Sequence, residues 1–545
     1  MSFKSLFVAI VGCIISFTVD LSGQTSFEIK EGKVQKKNNS PLEEVIGNDG
    51  EFTYVIRQRK NNQYLEKIDN ELNTVESLKI PARKEINGDK HVYSGLYMFH
   101  NHICMFTKVT RKEAKESITY MQLINKNSLK FQDTIKEVLR SEYDPEFKIV
   151  WGNSFNSRIL NDMTSTYAQK TCYISADNSH LLVYENLAYS NAEWKEKLKV
   201  AVYDTTFNKE WEKTIELPYE AKEFTVTSLV LSNDGDLYVY GELYKIGSEK
   251  LLSKIKGKTE FTYRLLAFKE NGQVFKNISL ELDKKFVTDL RLEIGNDGNP
   301  IAVGFYSDKG LGSIKGAFYM VVDKDQLQIT IKKTVQFDNS FIQSNLKQGE
   351  KLVSNLKSKT KSGAEMKSYD LSGVIIKKEG GAILVAEQYY IIVHTHVRSD
   401  GSSTTTTTYI YNDIILVDFD KQGNLMWKTK ISKRQTSKND FGARSSFTMV
   451  YSGNKLFFIY NDNPKNENLE KGKAAKSAFS KKIALMITEV DTKDGSISRS
   501  IAFTRHRRGI TMQPRVGLQT DKSTAFLYGQ KRKNGSQFLK IIFAD

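Results

Sequence analysis

The chain has 545 residues, 39% of them hydrophobic, and its formal net charge is +16. This hydrophobic fraction is ordinary for a soluble protein, and the length allows a large buried core. With seven prolines and no Pro/Gly/Ser-rich linker, the sequence argues against a division into separate domains.

The amino terminus has the layout of a secretory signal peptide. Lys4 precedes an apolar run from Leu6 to Val19, and small and polar residues follow. We therefore predict a signal peptide over 1–24 and an exported mature chain that is periplasmic, at the cell surface or secreted. The segment IVGC resembles a lipoprotein processing box, so a lipid anchor at Cys13 is the alternative. No second apolar stretch is long enough to span a bilayer.

A hairpin motif recurs seven times between residues 64 and 501. Two copies read KVAVYDTTFNKEWEKTIEL (199–217) and IILVDFDKQGNLMWKTKI (414–431). At matching positions a residue ends one strand and opens a polar turn: Asp69, Asn125, Asp204, Lys269, Asp323, Asp420 and Asp491. Self-similarity at this spacing is typical of a repeat architecture, and here the unit is a β-hairpin.

A second, more apolar hairpin precedes each copy, and an eighth apolar hairpin comes after the last. Asn-Asp-Gly recurs in their turns at 48–50, 233–235 and 296–298, where positive φ is needed. Units of four strands leave the last unit one strand short. The segment SFEIKEGKV (26–34) can fill that place and close a ring. We predict an all-β fold over 25–545, an eight-bladed β-propeller closed by this N-terminal strand, with seven blades as the alternative.

The turn at Asp420, Gly423 and Trp427 resembles the aspartate–glycine–tryptophan turn of quinoprotein-type blades. The turn from Asp204 to Trp211 resembles it in part. As an architecture, the mature chain is similar to uncharacterised exported bacterial propeller proteins. This resemblance implies a propeller fold and assigns no activity. We predict no cofactor.

Few residues have the spacing of a chemical site. His394 and His396 share one face of a strand and are weak metal candidates, because a third ligand is required. Cys104 and Cys172 are interpreted as buried apolar residues, with a disulfide as the alternative. No nucleophile elbow, phosphate loop or zinc-protease motif is present in the sequence.

Two segments depart from the repeat. Residues 388–420 contain two long extended runs around a turn, which predicts a hairpin that projects from the body. Residues 461–482 form a basic insertion, and between 428 and 482 thirteen Lys or Arg stand against four Asp or Glu. With the neighbouring connections, this region gives six candidate binding residues: Lys433, Arg434, Arg444, Arg505, Arg507 and Arg508.

From these features we predict a non-catalytic exported scaffold that contacts a protein, an acidic glycan or lipopolysaccharide, and not nucleic acid. It would be an accessory to an outer-membrane complex. The alternative is an enzyme that acts on a glycan or small molecule at the mouth of the propeller channel. The sequence does not decide the oligomeric state.

Overall fold

A computed structural model describes residues 26–35, 41–60, 62–142, 170–187, 195–245, 261–347, 350, 364–478, 483–531 and 535–544. The predicted signal peptide, Cys13 and the last four residues of the predicted insertion 461–482 lie outside the described residues. The described chain is built almost entirely of antiparallel strands, which confirms the all-β prediction. Its described part contains eight sheets of four or five strands and one two-stranded sheet.

The strands follow one another along the chain, sheet by sheet. The first strand is β1 (Phe27–Glu31). Sheet 1 contains β2 (Leu42–Asn48), β3 (Thr53–Arg59), β4 (Asn62–Ile68) and β5 (Thr74–Ile80). Sheet 2 contains β6 (Arg83–Ile86), β7 (Asp89–Phe99), β8 (His102–Arg111), β9 (Glu116–Asn125) and β10 (Lys130–Glu142). Sheet 3 contains β11 (Cys172–Ile174), β12 (Leu181–Leu187), β13 (Lys195–Tyr203) and β14 (Lys209–Glu220).

The middle of the chain continues this order. Sheet 4 contains β15 (Phe224–Leu231), β16 (Leu237–Tyr244), β17 (Phe261–Lys269) and β18 (Val274–Ser279). Sheet 5 contains β19 (Phe286–Ile294), β20 (Pro300–Ser307), β22 (Gly316–Val322) and β23 (Ile329–Gln336). A short helix α1 (Asn339–Gln343) follows, and β21 (Ser313–Ile314) pairs with β24 (Met366–Lys367).

The last three sheets include the longest strands. Sheet 6 contains β25 (Tyr369–Ile376), β26 (Ala382–Val397), β27 (Ser403–Phe419), β28 (Leu425–Ile431) and β29 (Gln435–Lys438). Sheet 7 contains β30 (Thr448–Ser452), β31 (Lys455–Asp462), β32 (Ala484–Asp491) and β33 (Ile497–Thr504), and a short helix α2 (Arg505–Arg508) follows. Sheet 8 contains β34 (Ile510–Met512), β35 (Leu518–Gln519), β36 (Thr524–Lys531) and β37 (Gly535–Phe543). Single 3-10 turns occupy Pro464–Asn466 and Pro514–Val516.

The two ends of the chain meet in sheet 8. Strand β1 pairs antiparallel with β37, from Phe27 opposite Phe543 to Glu31 opposite Leu539. Gly32 and Gln35 extend the pairing, since their N–H groups donate to the carbonyls of Phe538 and Ser536. The N-terminal segment thereby satisfies a strand edge that would otherwise be open.

The hydrophobic core is divided among neighbouring sheets. The described residues form eight apolar clusters, and seven of them are each shared by two sheets that follow one another in the chain. The eighth cluster joins sheet 8 to sheet 1 through residues such as Phe526, Phe538 and Leu42. Each sheet thus buries both of its faces, which explains why its middle strands are apolar on both sides.

Each sheet has two different ends. At the turn end, short turns join strand one to strand two and strand three to strand four. At the connection end lie the links between strands two and three and the links to the next sheet. Hydrogen bonds join turn ends of successive sheets: the His100 N–H donates to Asn178 Oδ1 (2.9 Å), and the Asp177 N–H donates to Asn233 Oδ1 (3.3 Å).

The turns that the repeat predicts are built by side-chain acceptors. Asp420 Oδ1 accepts from the N–H groups of Gln422 (2.9 Å) and Asn424 (2.8 Å). Equivalent bonds form at Asp69, Asn125, Asp204, Asp323 and Asp491. These bonds satisfy backbone donors that no strand can pair, so Asp and Asn are favoured at this position.

Candidate functional site

The first long strands of several successive sheets contact one another. Arg291 of β19 donates to the carbonyl of Leu371 in β25 (3.2 Å), which joins sheets 5 and 6. Gln519 of β35 exchanges two 2.9 Å hydrogen bonds with the backbone of Tyr451 in β30, which joins sheets 7 and 8. First strands of successive sheets are therefore in direct contact at these two places.

A β-bulge recurs in these strands. Among the described residues, five of the first long strands contain extra residues relative to their neighbour, two in β2 and one in each of the others. The extra residues are Glu43 and Ile46 in β2, and Ser94, Thr227, Thr288 and Ser372 in the others. A bulge bends the strand and changes which side chains face a given side, and such bulges are frequent beside active sites.

The bulge in β19 places Asp289 between two sheets. Its Oδ1 accepts from the N–H of Leu290 (2.9 Å), and its Oδ2 accepts from the N–H of Leu371 in sheet 6 (2.9 Å). A Cβ on Gly304 of the neighbouring strand would lie 2.0 Å from the Asp289 carbonyl oxygen, so only glycine fits there. Burial raises the pKa of Asp289, and the N–H of Leu371 and the charge of Arg291 oppose that rise.

Asp370 lies next to Leu371, the residue that holds Asp289. Its side chain is exposed, yet burial among protein atoms is the main cause that raises its pKa to about 7, and the charges of Asp289 and Glu387 add to the rise. Glu387, its partner across the strand pair, is buried and ion-paired with Lys433.

Lys170 precedes β11 of sheet 3 and acts electrostatically on acidic residues of two other sheets. Its charge lowers the raised pKa values of both Glu44 in sheet 1 and Glu293 in sheet 5, and burial is the main cause that raises each. Its ammonium group also lies 5.1 Å from the centre of the Tyr173 ring in sheet 3. We call Glu44, Lys170, Asp289, Glu293 and Asp370, which lie in or next to the first long strands of their sheets, the interior site.

The charge of Glu44 also acts on two tyrosines of β7. Burial raises the pKa of Tyr97 to about 12, and the charge of Glu44 contributes to that rise. Burial also raises the pKa of Tyr93, with Tyr97 and Glu44 as further causes. Neutral tyrosines beside carboxyl groups offer aromatic faces and hydroxyl groups to a polar ligand.

This arrangement supports proton transfer. A carboxyl group with a pKa near 7 is protonated in a large fraction of molecules at neutral pH and is therefore suited to donate a proton. Burial raises the pKa of the neighbouring Asp289 as well, and its two backbone N–H donors oppose that rise. Two nearby carboxyl groups in different environments are the usual basis of an acid and base pair.

The six candidate residues of the basic region do not form a single exposed surface. Lys433 is fully buried, and its ammonium contacts Glu387 and Gln435, so it is not available to an external ligand. Arg434 is ion-paired with Glu350 (2.8 Å), and Arg508 is ion-paired with Glu31.

The other three candidates lie nearer to solvent. Arg444 is exposed and reaches Gln530 Oε1 (3.5 Å), whereas Arg507 is exposed in α2. Arg505 begins α2, and its backbone N–H donates to Ile483 (2.7 Å). A binding role for these residues stays a prediction.

The long hairpin of β26 and β27 is present, and pairing extends to Val397 opposite Ser403. His394 and His396 are exposed on it. Within the described ranges, no group of three His, Cys, Asp or Glu side chains could hold a metal ion. Cys104 and Cys172 are both buried and unbonded.

Sequence reasoning missed the interior site. Asp289 and Asp370 are 81 positions apart, and only the packing of sheet 5 on sheet 6 brings them together. The available signal was a carboxylate within or beside a predicted apolar hairpin, at VTDL (287–290) and SYDL (368–371). A polar residue that interrupts a buried strand pattern is often functional.

No family model matches the chain, and no curated protein matches it. Solved structures that match include a prolyl endopeptidase, at 8% identity over 92% of this chain and 55% of that chain, with a TM-score of 0.39. They also include prolyl oligopeptidase B from Galerina marginata (9% identity, 91% of this chain and 56% of that one, TM-score 0.37). A third is dipeptidyl peptidase 4 from Porphyromonas gingivalis (9% identity, 79% and 65%, TM-score 0.29).

The chain therefore spans a little over half the length of the first two peptidases it matches. The prediction of a non-catalytic scaffold is wrong on this comparison, since the matching structures include several peptidases. Their low TM-scores transfer no site or mechanism to this chain. Among the described residues, no helix is long and apolar enough to cross a membrane.

Proposed function

We propose that the eight sheets form an eight-bladed β-propeller and that its interior site is an active site for acid–base chemistry on a glycan. The arrangement of apolar clusters supports the propeller, because each cluster joins successive sheets and the last joins sheet 8 to sheet 1. The pairing of β1 with β37 supports closure of the ring. Export from the cytoplasm is part of the proposal and gives the enzyme access to extracellular glycans.

One observation carries the proposed activity. Asp289 and Asp370 come from different sheets, and the backbone N–H of Leu371 holds Asp289 beside the residue that precedes it, Asp370. Protonated Asp370 would donate a proton to a leaving-group oxygen, while ionised Asp289 would act as the base or stabilise positive charge. Tyr93 and Tyr97 would lie against sugar rings.

The experiment is a turnover screen of the full chain on aryl glycosides and on polysaccharides. For any substrate that is hydrolysed, Asp370→Asn should lower kcat by about 10²- to 10⁴-fold, the usual contribution of a general acid. Because the acid must be protonated, activity should fall as the pH rises through about 7, and this limb should disappear in the variant.

The matched control is Asp283→Asn, whose carboxylate is 94% exposed on a connection outside the interior site. It should retain the activity of the unmodified chain. If no substrate of the panel is turned over, or if Asp370→Asn and Asp289→Asn both keep full activity, the proposed chemistry is refuted.

A further inference from the structure

A cavity lies at the connection end of sheets 4 and 5, next to Tyr219 of sheet 3. It has a volume of about 630 Å³, and its walls include Tyr219, Tyr244, Phe261, Tyr263 and Phe286. Ligand pockets of proteins usually measure roughly 300–1,000 Å³ and are lined mainly by apolar and aromatic side chains. The size and lining of this cavity are therefore those of a small-molecule site.

The tyrosine hydroxyl groups of this cavity are already used. Tyr244 donates to Glu242 Oε2, and Tyr263 donates to Glu242 Oε1 (3.5 Å). Glu242 is itself buried. Since both hydroxyls are directed at this carboxylate, the rings offer their apolar surface to the cavity. The rings of Phe261 and Tyr263 stand perpendicular, with centres 5.5 Å apart, and form an angular wall that accepts a flat ring system.

The cavity is lined by equal numbers of acidic and basic residues: Glu223, Glu281 and Asp283, and Lys245, Lys284 and Lys285. Two of the acidic groups have partners outside this lining. The carboxylate of Glu281 pairs with Arg264 (3.9 Å), and that of Asp283 pairs with Lys332 (3.7 Å). Lys284 is exposed at the mouth, and within the described part of the chain its ammonium group has no partner. Its backbone has a φ of 55°, in the left-handed region that non-glycine residues seldom adopt.

Lys285 adds a second positive charge at the same place. Its ammonium group donates to Thr334 Oγ1 (2.9 Å) and lies 4.5 Å from the centre of the Tyr306 ring. The loop Asp283–Lys285 thus has the Lys284 ammonium group at the edge of an aromatic cavity, while its one acidic side chain, Asp283, pairs with Lys332 outside the lining.

We infer that this cavity binds a small molecule that combines a flat apolar ring system with an anionic group. The ring system would lie against Phe261, Tyr263 and Phe286, and the anionic group would face Lys284. This inference is independent of the interior site and does not require that the protein be an enzyme.

The test uses two fluorescent probes with the full chain. The first, 1-anilinonaphthalene-8-sulfonate, has the proposed combination of rings and negative charge. The second, N-phenyl-1-naphthylamine, has the same rings without the sulfonate. Fluorescence titration of the folded chain should give saturable binding of both probes, with the anionic probe bound more tightly.

Three variants locate the site. Lys284→Glu should weaken binding of the anionic probe at least fivefold and leave the neutral probe unchanged. Phe286→Ser should weaken both probes severalfold, and its fold is expected to persist because the ring is 40% exposed. Lys276→Glu is the matched control on the exposed strand β18, outside the cavity; it should change neither.

Circular dichroism and the melting temperature of each variant establish that it is folded. The inference is overturned if Lys284→Glu leaves the affinity for the anionic probe unchanged, or if it weakens both probes equally. It is also overturned if Phe286→Ser has no effect on either probe.

Discussion

The turn end and the connection end of the sheets are built from the same strands, but their loops differ in regularity. At the turn end, one short turn chemistry repeats, and neighbouring turns bond to one another through side chains and backbone. At the connection end the links differ in every sheet, from the long hairpin of β26 and β27 to the cavity at sheets 4 and 5. Repetition at one end holds the sheets together, which leaves the other end free to vary.

Long side chains strengthen the turn end across sheet boundaries. Lys213 of sheet 3 donates to the carbonyl of Gly272 in sheet 4, and Lys269 of sheet 4 donates to that of Lys324 in sheet 5 (2.6 Å). Trp427 of sheet 6 donates to the carbonyl of Thr492 in sheet 7 (2.8 Å). Two lysines and a tryptophan at the turn end thus each donate a hydrogen bond to a backbone carbonyl of the next sheet.

The largest expected effect is that of removing Trp427. Its ring is 7% exposed and packs against Gly495 of the next sheet. Trp427→Ala should lower the free energy of unfolding by about 3–5 kcal/mol, the usual cost of deleting a buried large aromatic side chain. Urea denaturation measures it, and Met426→Ala, whose side chain is 55% exposed, is the adjacent control. Equal effects of the two substitutions would show that the indole does not join the sheets.

The second expected effect compares two glycines with the same backbone angle. Gly423 at the turn end has a φ of 79°, and Gly401 at the tip of the long hairpin has a φ of 80°. A Cβ at Gly423 would lie 2.9 Å from atoms of Tyr319 and Lys333 in sheet 5, whereas a Cβ at Gly401 would meet nothing within 4 Å.

Gly423→Ala should therefore destabilise the protein by about 2–3 kcal/mol. The alanine would have to adopt a left-handed backbone conformation, and its Cβ would also crowd sheet 5. Gly401→Ala should cost at most about 1 kcal/mol, because only the backbone strain remains. Thermal unfolding of both variants measures the difference. If the two melting temperatures fall by the same amount, contact between sheets contributes nothing at this turn.

The same contrast explains what the sequence could predict. The turn residues repeat with a fixed spacing, so six of the seven predicted positions are side-chain acceptors in the structure. Lys269 is the exception, and its side chain instead reaches sheet 5. These features are local, because a turn is specified by residues within four positions of one another.

The interior site and the basic region depend on packing between distant segments, and the prediction was weaker there. Bulges shift the register of the first strands, so a period of two does not identify which side chains face the interior. Lys433 belongs to a basic stretch of sequence, yet Glu387 of β26 lies beside it and draws it into the protein. Charge composition alone therefore predicted a surface residue where the fold has a buried ion pair.

The smallest expected effect concerns two aspartate turns with the same hydrogen bond. It tests whether they contribute differently to stability at two places in the fold. Asp420 and Asp400 each accept a backbone N–H two residues ahead at 2.9 Å, one at the turn end and one at the hairpin tip. Asp420→Ala should lower the free energy of unfolding by about 1 kcal/mol, the usual cost of losing a side-chain cap. Asp400→Ala should leave global unfolding unchanged, since the hairpin tip contacts solvent on all sides.

The effect of Asp420→Ala on stability should also depend on pH, in a direction set by the pKa of Asp420. Hydrogen bonds from Asn424 and Gln422 lower the pKa of Asp420 despite some burial. A carboxylate with a lowered pKa stabilises the fold fully above its unfolded value, near 4, and loses that contribution as the pH falls through the folded value. The difference in stability between the unmodified chain and Asp420→Ala should therefore be constant from pH 5 to 7 and shrink below about pH 4. A difference that instead grows on acidification would mean that the carboxylate at this turn opposes the fold.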